Sequence, residues 1–290
     1  MKVLVIGASG QVGGAIMRLA PQNWDIVGTY SGKPKLNLMH LDVSNRDEVF
    51  QVFEKTRPDV VILSAAFTNV DLCETDRERA DAVNVRGPQN VSDACLKYAS
   101  KMVYISTDYV FDGEKGPYGE DDIPNPTGYY AWTKLEGERI TALAPEHLII
   151  RTTGVYSADP EGLNFVMQVI KRLGAGESMR VPSDQYGNPT LADNLAEGIV
   201  ALLTLGKTGI YNVAGSDFMD RYSFALLIAD VFGLDKTLIS PIDTQSLGQK
   251  AKRPLRAGLI VEKVERETGV KMLGAREGLM FVKERLLGRR

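Results

Sequence analysis

Tyr130 and Lys134 are the residues of this chain whose types and spacing most clearly indicate acid–base chemistry. They stand four positions apart in a helix-forming stretch, so both side chains fall on one helical face, about one turn apart. A free phenol has a pKa of about 10 and exchanges protons poorly at neutral pH, but a neighbouring ammonium group favours the phenolate. The pair therefore predicts proton transfer by Tyr130, assisted by Lys134. Because this spacing also arises by chance, the prediction needs partners elsewhere in the chain.

A glycine-rich turn near the N-terminus supplies the first partner. Residues Lys2 to Ile6 have the short, apolar pattern of a buried parallel strand, and an amphipathic helix pattern follows the turn. Between them, Gly7 would allow a sharp change of direction, Gly10 would let a pyrophosphate approach the backbone, and Gly13 would let the helix pack closely on the sheet. The helix N-terminus would offer N–H groups to phosphates. This strand–turn–helix context predicts a dinucleotide site.

The next two predicted strands should complete that site. Sites that prefer NAD usually place a carboxylate after the second strand, whereas here Tyr30 and Ser31 are followed by Lys33, which favours NADPH with NADH as the alternative. Asp42, in a predicted third strand closing with Leu41–Val43, is placed to accept from the adenine amino group. Small residues at a strand end allow a cofactor to lie against the backbone. We predict cofactor contacts at Gly7, Ser9, Gly10, Gln11, Val12, Gly13, Tyr30, Ser31, Asp42, Val43, Ala65, Ala66, Tyr130 and Lys134.

Alternating strand and helix patterns with short connections run through the first half of the chain, which predicts an α/β fold with a doubly wound parallel sheet. One long helical stretch is expected from Asp76 to Ser100, with an interruption around Gly87–Pro88. After residue 157 the rhythm changes. We predict a dinucleotide-binding domain over 1–157, which segments near 191–215 rejoin, and a smaller substrate lobe formed mainly by 158–290.

The bulk composition excludes several classes of function. The 290 residues are 44% hydrophobic and 24% charged with a formal net charge of −3, so no basic excess favours nucleic acid. Apolar runs are too short for a membrane span. The two cysteines lack the spacing of a metal site. Because Met1 and Lys2 lead directly into the first predicted strand, we expect no signal peptide, and we expect a cytoplasmic location.

Several motifs together are more specific than any one of them, and they are distributed over nearly the whole chain. In these motifs the chain resembles the extended short-chain dehydrogenase/reductase superfamily, which implies a Rossmann-type sheet. Within that superfamily it most resembles the dTDP-4-dehydrorhamnose reductases. The motifs are Gly7-x-x-Gly10-Gln11-Val12-Gly13, Arg57-Pro58-Asp59-Val60, Ala65-Ala66-x-Thr68-x-Val70-Asp71, Ser106-Thr107-Asp108-Tyr109-Val110-Phe111-Asp112-Gly113, Tyr130-x-x-x-Lys134-Leu135-x-Gly137-Glu138 and Asp184-Gln185-Tyr186-Gly187-x-Pro189-Thr190.

This resemblance implies reduction of the C4 ketone of a nucleotide-linked deoxysugar by NADPH, most closely dTDP-4-dehydrorhamnose to dTDP-rhamnose. It makes Tyr130 the proton donor to the ketone oxygen. Lys134 would lower the pKa of Tyr130 and hold the nicotinamide ribose, and Thr107 would hydrogen-bond the ketone oxygen. The substrate contacts that it implies are Val70, Thr107, Asp108, Tyr109, Gln185 and Arg253.

Two departures from the family pattern and two other functions stay open at this point. Gly154 stands where these reductases usually have a tryptophan, which leaves the sugar undetermined, and Ala15 replaces a carboxylate that some relatives link to a magnesium-bridged dimer, so no metal is expected. The same sequence group includes a non-catalytic regulatory subunit of methionine adenosyltransferase, and nucleotide-sugar epimerases and dehydratases share the Tyr and Lys. The oligomeric state, a homodimer included, is not determined by the sequence.

Overall fold

Parallel strands form the centre of the molecule. The computed structural model describes residues 1–32, 34–144, 146–159, 162 and 164–288. The strands in that part of the chain are β1 (Lys2–Ile6), β2 (Asp25–Tyr30), β3 (Leu38–His40), β4 (Val60–Leu63), β5 (Lys101–Thr107), β6 (His147–Thr152), β7 (Val155–Tyr156), β8 (Met179–Pro182), β9 (Tyr186–Gly187), β10 (Thr190–Leu191), β11 (Gly209–Asn212), β12 (Met219–Asp220) and β13 (Ile239–Ile242). Seven of them make one sheet in the order β11-β6-β5-β4-β1-β2-β3, each parallel to its neighbours.

Helices cover both faces of this sheet, as a doubly wound fold requires. The helices are α1 (Gln11–Leu19), α2 (Arg46–Thr56), α3 (Val70–Thr75), α4 (Arg77–Asp81), α5 (Gly87–Tyr98), α6 (Tyr129–Thr141), α7 (Phe165–Gly174), α8 (Ala192–Thr204), α9 (Arg221–Phe232), α10 (Glu262–Thr268) and α11 (Ala275–Leu286). On one face of the sheet α1 packs against α8, and on the other α5 packs against α2 and α6. The predicted doubly wound parallel sheet is confirmed.

The inner strands β1 and β4 are almost entirely apolar because both faces of the sheet are buried there. Successive side chains of a strand point to opposite faces. In β1, Val3 and Val5 therefore join the core under α1 and α8, while Leu4 and Ile6 join the core under α2 and α5. These two cores hold the strands in fixed positions, so residues at the carboxyl ends of neighbouring strands keep a constant geometry.

A third core lies outside the sheet and joins α7, α9 and α11 to the short strands β8 and β13. Tyr156, Phe224 and Leu279 are among its buried members. Between the two parts of the chain, β11 pairs with β6 and α8 packs against α1, so residues near 191–215 contact the sheet. The division at residue 157 into a cofactor domain and a substrate lobe concerns function and stays a prediction.

Three local expectations differ from the structure. The third strand ends at His40, because the Asp42 side chain accepts a hydrogen bond from the Ser44 backbone and starts a turn. The helical stretch is not broken at Gly87–Pro88, since a π-helical turn over Ala82–Arg86 leads directly into α5 and places the proline in its first turn. The polar loop near 183–190 contains β9 and the start of β10.

No helix in the described part of the chain combines the length and the apolar character that crossing a bilayer requires.

Candidate functional site

The carboxyl ends of β1, β4 and β5 open into a cavity of about 740 Å³, here called the strand-end cavity. Parallel strands present this edge to ligands in doubly wound folds. Of the predicted cofactor contacts, those that line the cavity are Gly7, Ser9, Gly10, Gln11, Val12, Gly13, Ser31, Asp42, Val43, Ala65, Ala66, Tyr130 and Lys134. Residues that were not predicted as cofactor contacts also line it, among them Leu41, Phe67, Thr68, Arg79, Val83, Ile105 and Ser106.

Tyr30 is the exception among those predictions. Its ring packs edge-to-face on His40 with the ring centroids 5.5 Å apart, and only its neighbour Ser31 lines the cavity. Lys33, on which the sequence-based preference for NADPH depended, lies outside the described residues. Lys35 contacts the cavity wall instead, since its Nζ donates to the Ser9 carbonyl at 2.9 Å.

The glycine turn has the shape that a diphosphate needs. Gly7 has φ +92°, and a Cβ on Gly13 would lie 2.4 Å from the Gly7 carbonyl oxygen, so the turn and helix approach more closely than side chains permit. Gly10 caps α1 without a side-chain hydrogen bond, and the first backbone bond of the helix runs from Gly14 to the Gly10 carbonyl. The N–H groups of the first helical turn are therefore free to bind an anion, and the residues present fit a dinucleotide.

Tyr130 and Lys134 lie where β5 meets α6, and both are buried. The Lys134 Nζ donates to the Ile105 carbonyl at 2.7 Å and lies 4.0 Å from the centre of the Tyr104 ring. Thr107, the last residue of β5, hydrogen-bonds Tyr130 and lies next to it in the wall of the cavity. The structure thus brings together the three residues predicted to be catalytic.

Burial dominates the protonation of these groups. It raises the pKa of Tyr130, with the Asp108 carboxylate as the second cause, and it lowers the pKa of Lys134 to about 7. The pKa of Tyr130 is therefore raised and not lowered as the sequence predicted, because burial and the Asp108 carboxylate outweigh the hydrogen bond from Thr107. Tyr130 is held as a protonated phenol, which is the form that can donate a proton.

Asp108, the residue after Thr107, carries a buried carboxyl group. Burial raises its pKa to about 7, although hydrogen bonds from Thr153 and Thr107 act in the opposite direction. The Thr107 Oγ1 donates to the Asp108 Oδ1 at 3.1 Å. A carboxyl group that titrates near neutrality inside a cavity is typical of functional sites.

A buried ion pair stands behind these residues, and the sequence did not reveal it. Arg151 donates to both carboxylate oxygens of Glu138, at 3.0 and 2.8 Å, and the Ser106 hydroxyl donates to the same carboxylate at 2.5 Å. Glu138 stands four residues after Lys134 on α6, so the pair fixes the helix that carries Lys134 against β5 and β6. The sequence shows that Glu138 stands four residues after Lys134, but it does not show that Glu138 pairs with Arg151, because Arg151 lies on the separate strand β6.

A second cavity, of about 450 Å³, is here called the lobe cavity, and it lies between the strand ends and α7 and α9. Its walls include the predicted substrate contacts Val70, Thr107, Asp108, Tyr109 and Gln185, together with residues that were not predicted, such as Thr153, Phe165, Met219, Arg221 and Phe224. Arg253 lies outside it, in an adjoining cavity that Val70, Tyr109 and Gln185 also line.

Gly154 lines both the strand-end cavity and the lobe cavity. Its φ is +57°, and a Cβ there would lie 2.9 Å from the Asn188 carbonyl oxygen. A larger side chain at this position would strain the backbone and contact the 188–189 segment. The lack of an aromatic residue here is therefore part of the local backbone conformation.

Comparisons with known proteins agree with this geometry. The family model described as the RmlD substrate binding domain matches residues 1–286. A dTDP-4-dehydrorhamnose reductase from Aggregatibacter actinomycetemcomitans is 33% identical over 93% of this chain and 94% of its own. Among solved structures, a dTDP-4-dehydrorhamnose reductase from Clostridium acetobutylicum is 34% identical with a TM-score of 0.90, covering 99% of this chain and 100% of the other.

A further solved structure, of dTDP-4-dehydrorhamnose reductase from Bacillus anthracis, is in complex with NADP. It is 31% identical with a TM-score of 0.89, covering 100% of this chain and 99% of the other. The likeness runs over the sheet and the C-terminal lobe alike. The chain therefore belongs to the RmlD substrate binding domain family, the family of the dTDP-4-dehydrorhamnose reductases.

Proposed function

We propose that this protein uses NADPH to reduce the C4 ketone of a nucleotide-linked deoxysugar, most closely dTDP-4-dehydrorhamnose to dTDP-rhamnose. The observation that carries the proposal is that Thr107 and Tyr130 line both the strand-end cavity and the lobe cavity. A cofactor in the first and a sugar in the second would meet at these two side chains. This is the arrangement that transfer between two bound molecules requires.

The strand-end cavity supports the cofactor assignment. The N–H groups that follow Gly10 would hold the diphosphate, Asp42 would accept from the adenine amino group, and Lys134 would hold the nicotinamide ribose. NADPH, when bound, supplies the hydride that reduces the ketone carbon. The relative from Bacillus anthracis was solved in complex with NADP, which favours the phosphorylated cofactor.

The protein's own residues would handle the charge that develops on the ketone oxygen. Tyr130, held protonated by burial, would donate its proton to that oxygen, and the Thr107 hydroxyl would hydrogen-bond it. The Lys134 ammonium would stabilise the phenolate left after the transfer, since both lie in the same buried wall. Each group acts most strongly as negative charge appears, which is how a site favours a transition state.

The remaining assignments follow from that reaction. We propose that residues 1–157, with the segment near 191–215, form the cofactor half, and that 158–290 mainly enclose the sugar. Val70, Asp108, Tyr109, Gln185 and Arg253 would contact the nucleotide-sugar. The names of the relatives favour dTDP-4-dehydrorhamnose among the keto-sugars.

A substrate panel tests the proposal. Purified protein with NADPH is offered enzymatically generated 4-keto-6-deoxy sugars linked to dTDP and to UDP, and oxidation is followed by the absorbance of the reduced nicotinamide. With C4-deuterated NADPH, we expect one deuterium at C4 of the product sugar by NMR. Binding of NADPH without oxidation on any sugar would contradict the proposal and favour the regulatory-subunit alternative. Isomerisation or dehydration without net NADPH consumption would contradict it in favour of the epimerase and dehydratase alternative.

A further inference from the structure

The cavity that adjoins the lobe cavity contains several arginines and is here called the arginine extension. It has a volume of about 370 Å³, and its walls carry four guanidinium groups. They belong to Arg172, Arg180, Arg221 and Arg253. Arg221 also lines the lobe cavity, so its side chain stands at the junction of the two spaces. A group bound by Arg221 would lie between whatever occupies each space.

Arg221 has a positioned side chain and forms no ion pair within the described part of the chain. It is the first residue of α9, and its backbone N–H donates to the Gln185 carbonyl at 3.0 Å. The guanidinium carbon lies 4.4 Å from the centre of the Phe165 ring, which fixes the plane of the group. Among the described residues no carboxylate pairs with it, since the neighbouring Asp220 accepts from Ser223 instead.

Arg253 is only partly neutralised. Its Nη2 lies 3.2 Å from the Asp71 carboxylate, and its side chain is 10% exposed. The Nη1 is buried and has no hydrogen-bond partner in the described part of the chain. A buried donor without a partner is costly, and such atoms in native proteins usually have a ligand or water to satisfy them.

The two guanidinium groups act on each other and on Tyr109. Burial lowers the pKa of Arg221, and the charge of Arg253 lowers it further. Burial raises the pKa of Tyr109, and both arginines oppose that change. Among the described residues, Asp71 is the only carboxylate that forms an ion pair with either arginine, which leaves an excess of positive charge on the two guanidinium groups. A bound anion would remove the repulsion between the arginines and would satisfy the free guanidinium edges.

We propose that Arg221 acts with Arg253 to bind the diphosphate of the nucleotide-linked substrate, with Arg221 on the phosphate nearer the sugar. This inference rests on the proposed function. The diphosphate is the part of such a substrate that lies between sugar and nucleoside, which matches the position of Arg221 between the two spaces. The Tyr109 ring lines both spaces and stands edge-to-face with Tyr130, with the ring centroids 6.1 Å apart, so the junction is close to the reacting end.

The direction of the substrate follows from this placement. The sugar would extend through the lobe cavity towards Tyr130, and the nucleoside would extend into the part lined by Arg180, Val181 and Leu247. A planar guanidinium can donate two parallel hydrogen bonds to one phosphate group. Asp71 already neutralises part of the Arg253 charge, so Arg221 supplies the charge that Arg253 alone would lack.

Isothermal titration with dTDP and with dTMP tests the inference without turnover. In Arg221→Ala we expect the dTDP affinity to fall about tenfold or more, because a charge-assisted phosphate contact is lost. The dTMP affinity should change much less, since dTMP lacks the phosphate nearer the sugar. Arg221→Lys should be intermediate. Arg276→Ala, which removes an exposed arginine paired with Asp230 on α9, is the matched control and should bind dTDP as the parent does.

Several outcomes separate this inference from the proposed function. Unchanged dTDP affinity in Arg221→Ala, or an equal loss for dTMP and dTDP, would overturn it. If the alanine variant lacks a cooperative thermal transition, Arg221→Gln repeats the measurement with a neutral side chain of similar reach. A protein that binds dTDP through Arg221 but reduces no keto-sugar would refute the proposed function alone. One that reduces the sugar with an unchanged KM in Arg221→Ala would refute this inference alone.

Discussion

The strand-end cavity and the lobe cavity are built on different principles. The first is shaped largely by backbone, where Gly7, Gly10 and Gly13 follow one strand within a single short segment. The second is shaped by side chains from distant segments, such as Val70, Gln185 and Arg221. A backbone surface suits a constant ligand, whereas a side-chain surface can change its specificity without changing the fold.

The two cavities also differ in their charges. The strand-end cavity offers an anion the free N–H groups of α1, which are part of the fold and carry no titrating group. The lobe cavity and its extension contain the buried Asp108 carboxyl and the guanidinium groups of Arg221 and Arg253. Binding of a diphosphate at the glycine turn should therefore depend mainly on geometry, whereas binding in the lobe cavity and its extension should depend on protonation and charge.

Replacing Tyr130 by Phe should give the largest effect, because Tyr130 is where the two cavities meet. Loss of the only proposed proton donor should lower kcat by about 10²–10⁴-fold, a range typical of general acid catalysis, while NADPH affinity changes little. Steady-state kinetics and cofactor titration measure the two quantities. Tyr129→Phe is the matched control, since its hydroxyl donates to Asp81 at 2.8 Å, away from the ketone. Similar activity in both variants would remove Tyr130 from the reaction.

A methyl group added to the glycine turn should show how strictly backbone defines the strand-end cavity. In Gly13→Ala the new Cβ would lie 2.4 Å from the Gly7 oxygen and 2.8 Å from the Ala8 Cα, so backbone must move. We expect a loss of about 1–3 kcal/mol in the free energy of unfolding, measured by urea denaturation, and weaker NADPH binding.

Gly14 provides the matched control for that change. It is the next residue of α1, and its added Cβ would lie 3.5 Å from the Ala8 oxygen, an ordinary contact. Gly14→Ala should therefore stabilise the helix by about 0.5–1 kcal/mol. If both variants bind NADPH equally well, close backbone approach is not what defines this cavity.

The same contrast explains what the sequence could predict. A short apolar run before a glycine predicted β1 with the bounds that the structure shows, because a strand buried on both faces has a local signature. The third strand was extended too far, because an Asp42 side chain that bonds its own backbone competes with strand pairing. The π-helical turn before α5 packs against α6, and no local sequence pattern reports that contact.

The site divides in the same way. Residues of contiguous motifs, from Gly7 to Lys134, could be predicted to lie around one cavity because their spacing reflects a local shape. Arg221 and Phe165 were missed, since each is an ordinary helix residue until α7 and α9 are placed side by side. The protonation of Tyr130 was also missed, because desolvation depends on the whole surrounding fold rather than on a nearby lysine.

Asp108→Asn tests the titrating character of the lobe cavity through stability. Burial raises the folded-state pKa of Asp108 to about 7, so the folded protein holds a proton that the unfolded chain releases near pH 4. The stability contribution of Asp108 therefore falls as pH rises from about 4 to 7. Above pH 7 the variant should be more stable than the parent by about 1–3 kcal/mol, and below pH 4 the difference should vanish.

Chemical denaturation of both proteins across this range measures the effect. Lys134, whose pKa is lowered to about 7, makes stability rise between about pH 7 and 10.5, but it does so in both proteins and cancels in the comparison. A pH-independent difference between parent and variant would show that Asp108 does not titrate near neutrality. The charge-based description of the lobe cavity would then fail.

The smallest expected effect concerns Lys35, an exposed side chain at the wall of the strand-end cavity. Its ammonium group donates to the carbonyl of Ser9, which lines the cavity as Ser31 does, and we expect a 2′-phosphate to bind on this side. Because Lys35 is exposed, its contribution is screened, and Lys35→Ala should raise the KM for NADPH only about two- to fivefold, leaving that for NADH unchanged. Lys55→Ala, an exposed lysine of α2, is the control. The difference should shrink with added salt, and equal changes for both cofactors would show that Lys35 supports the turn rather than the phosphate.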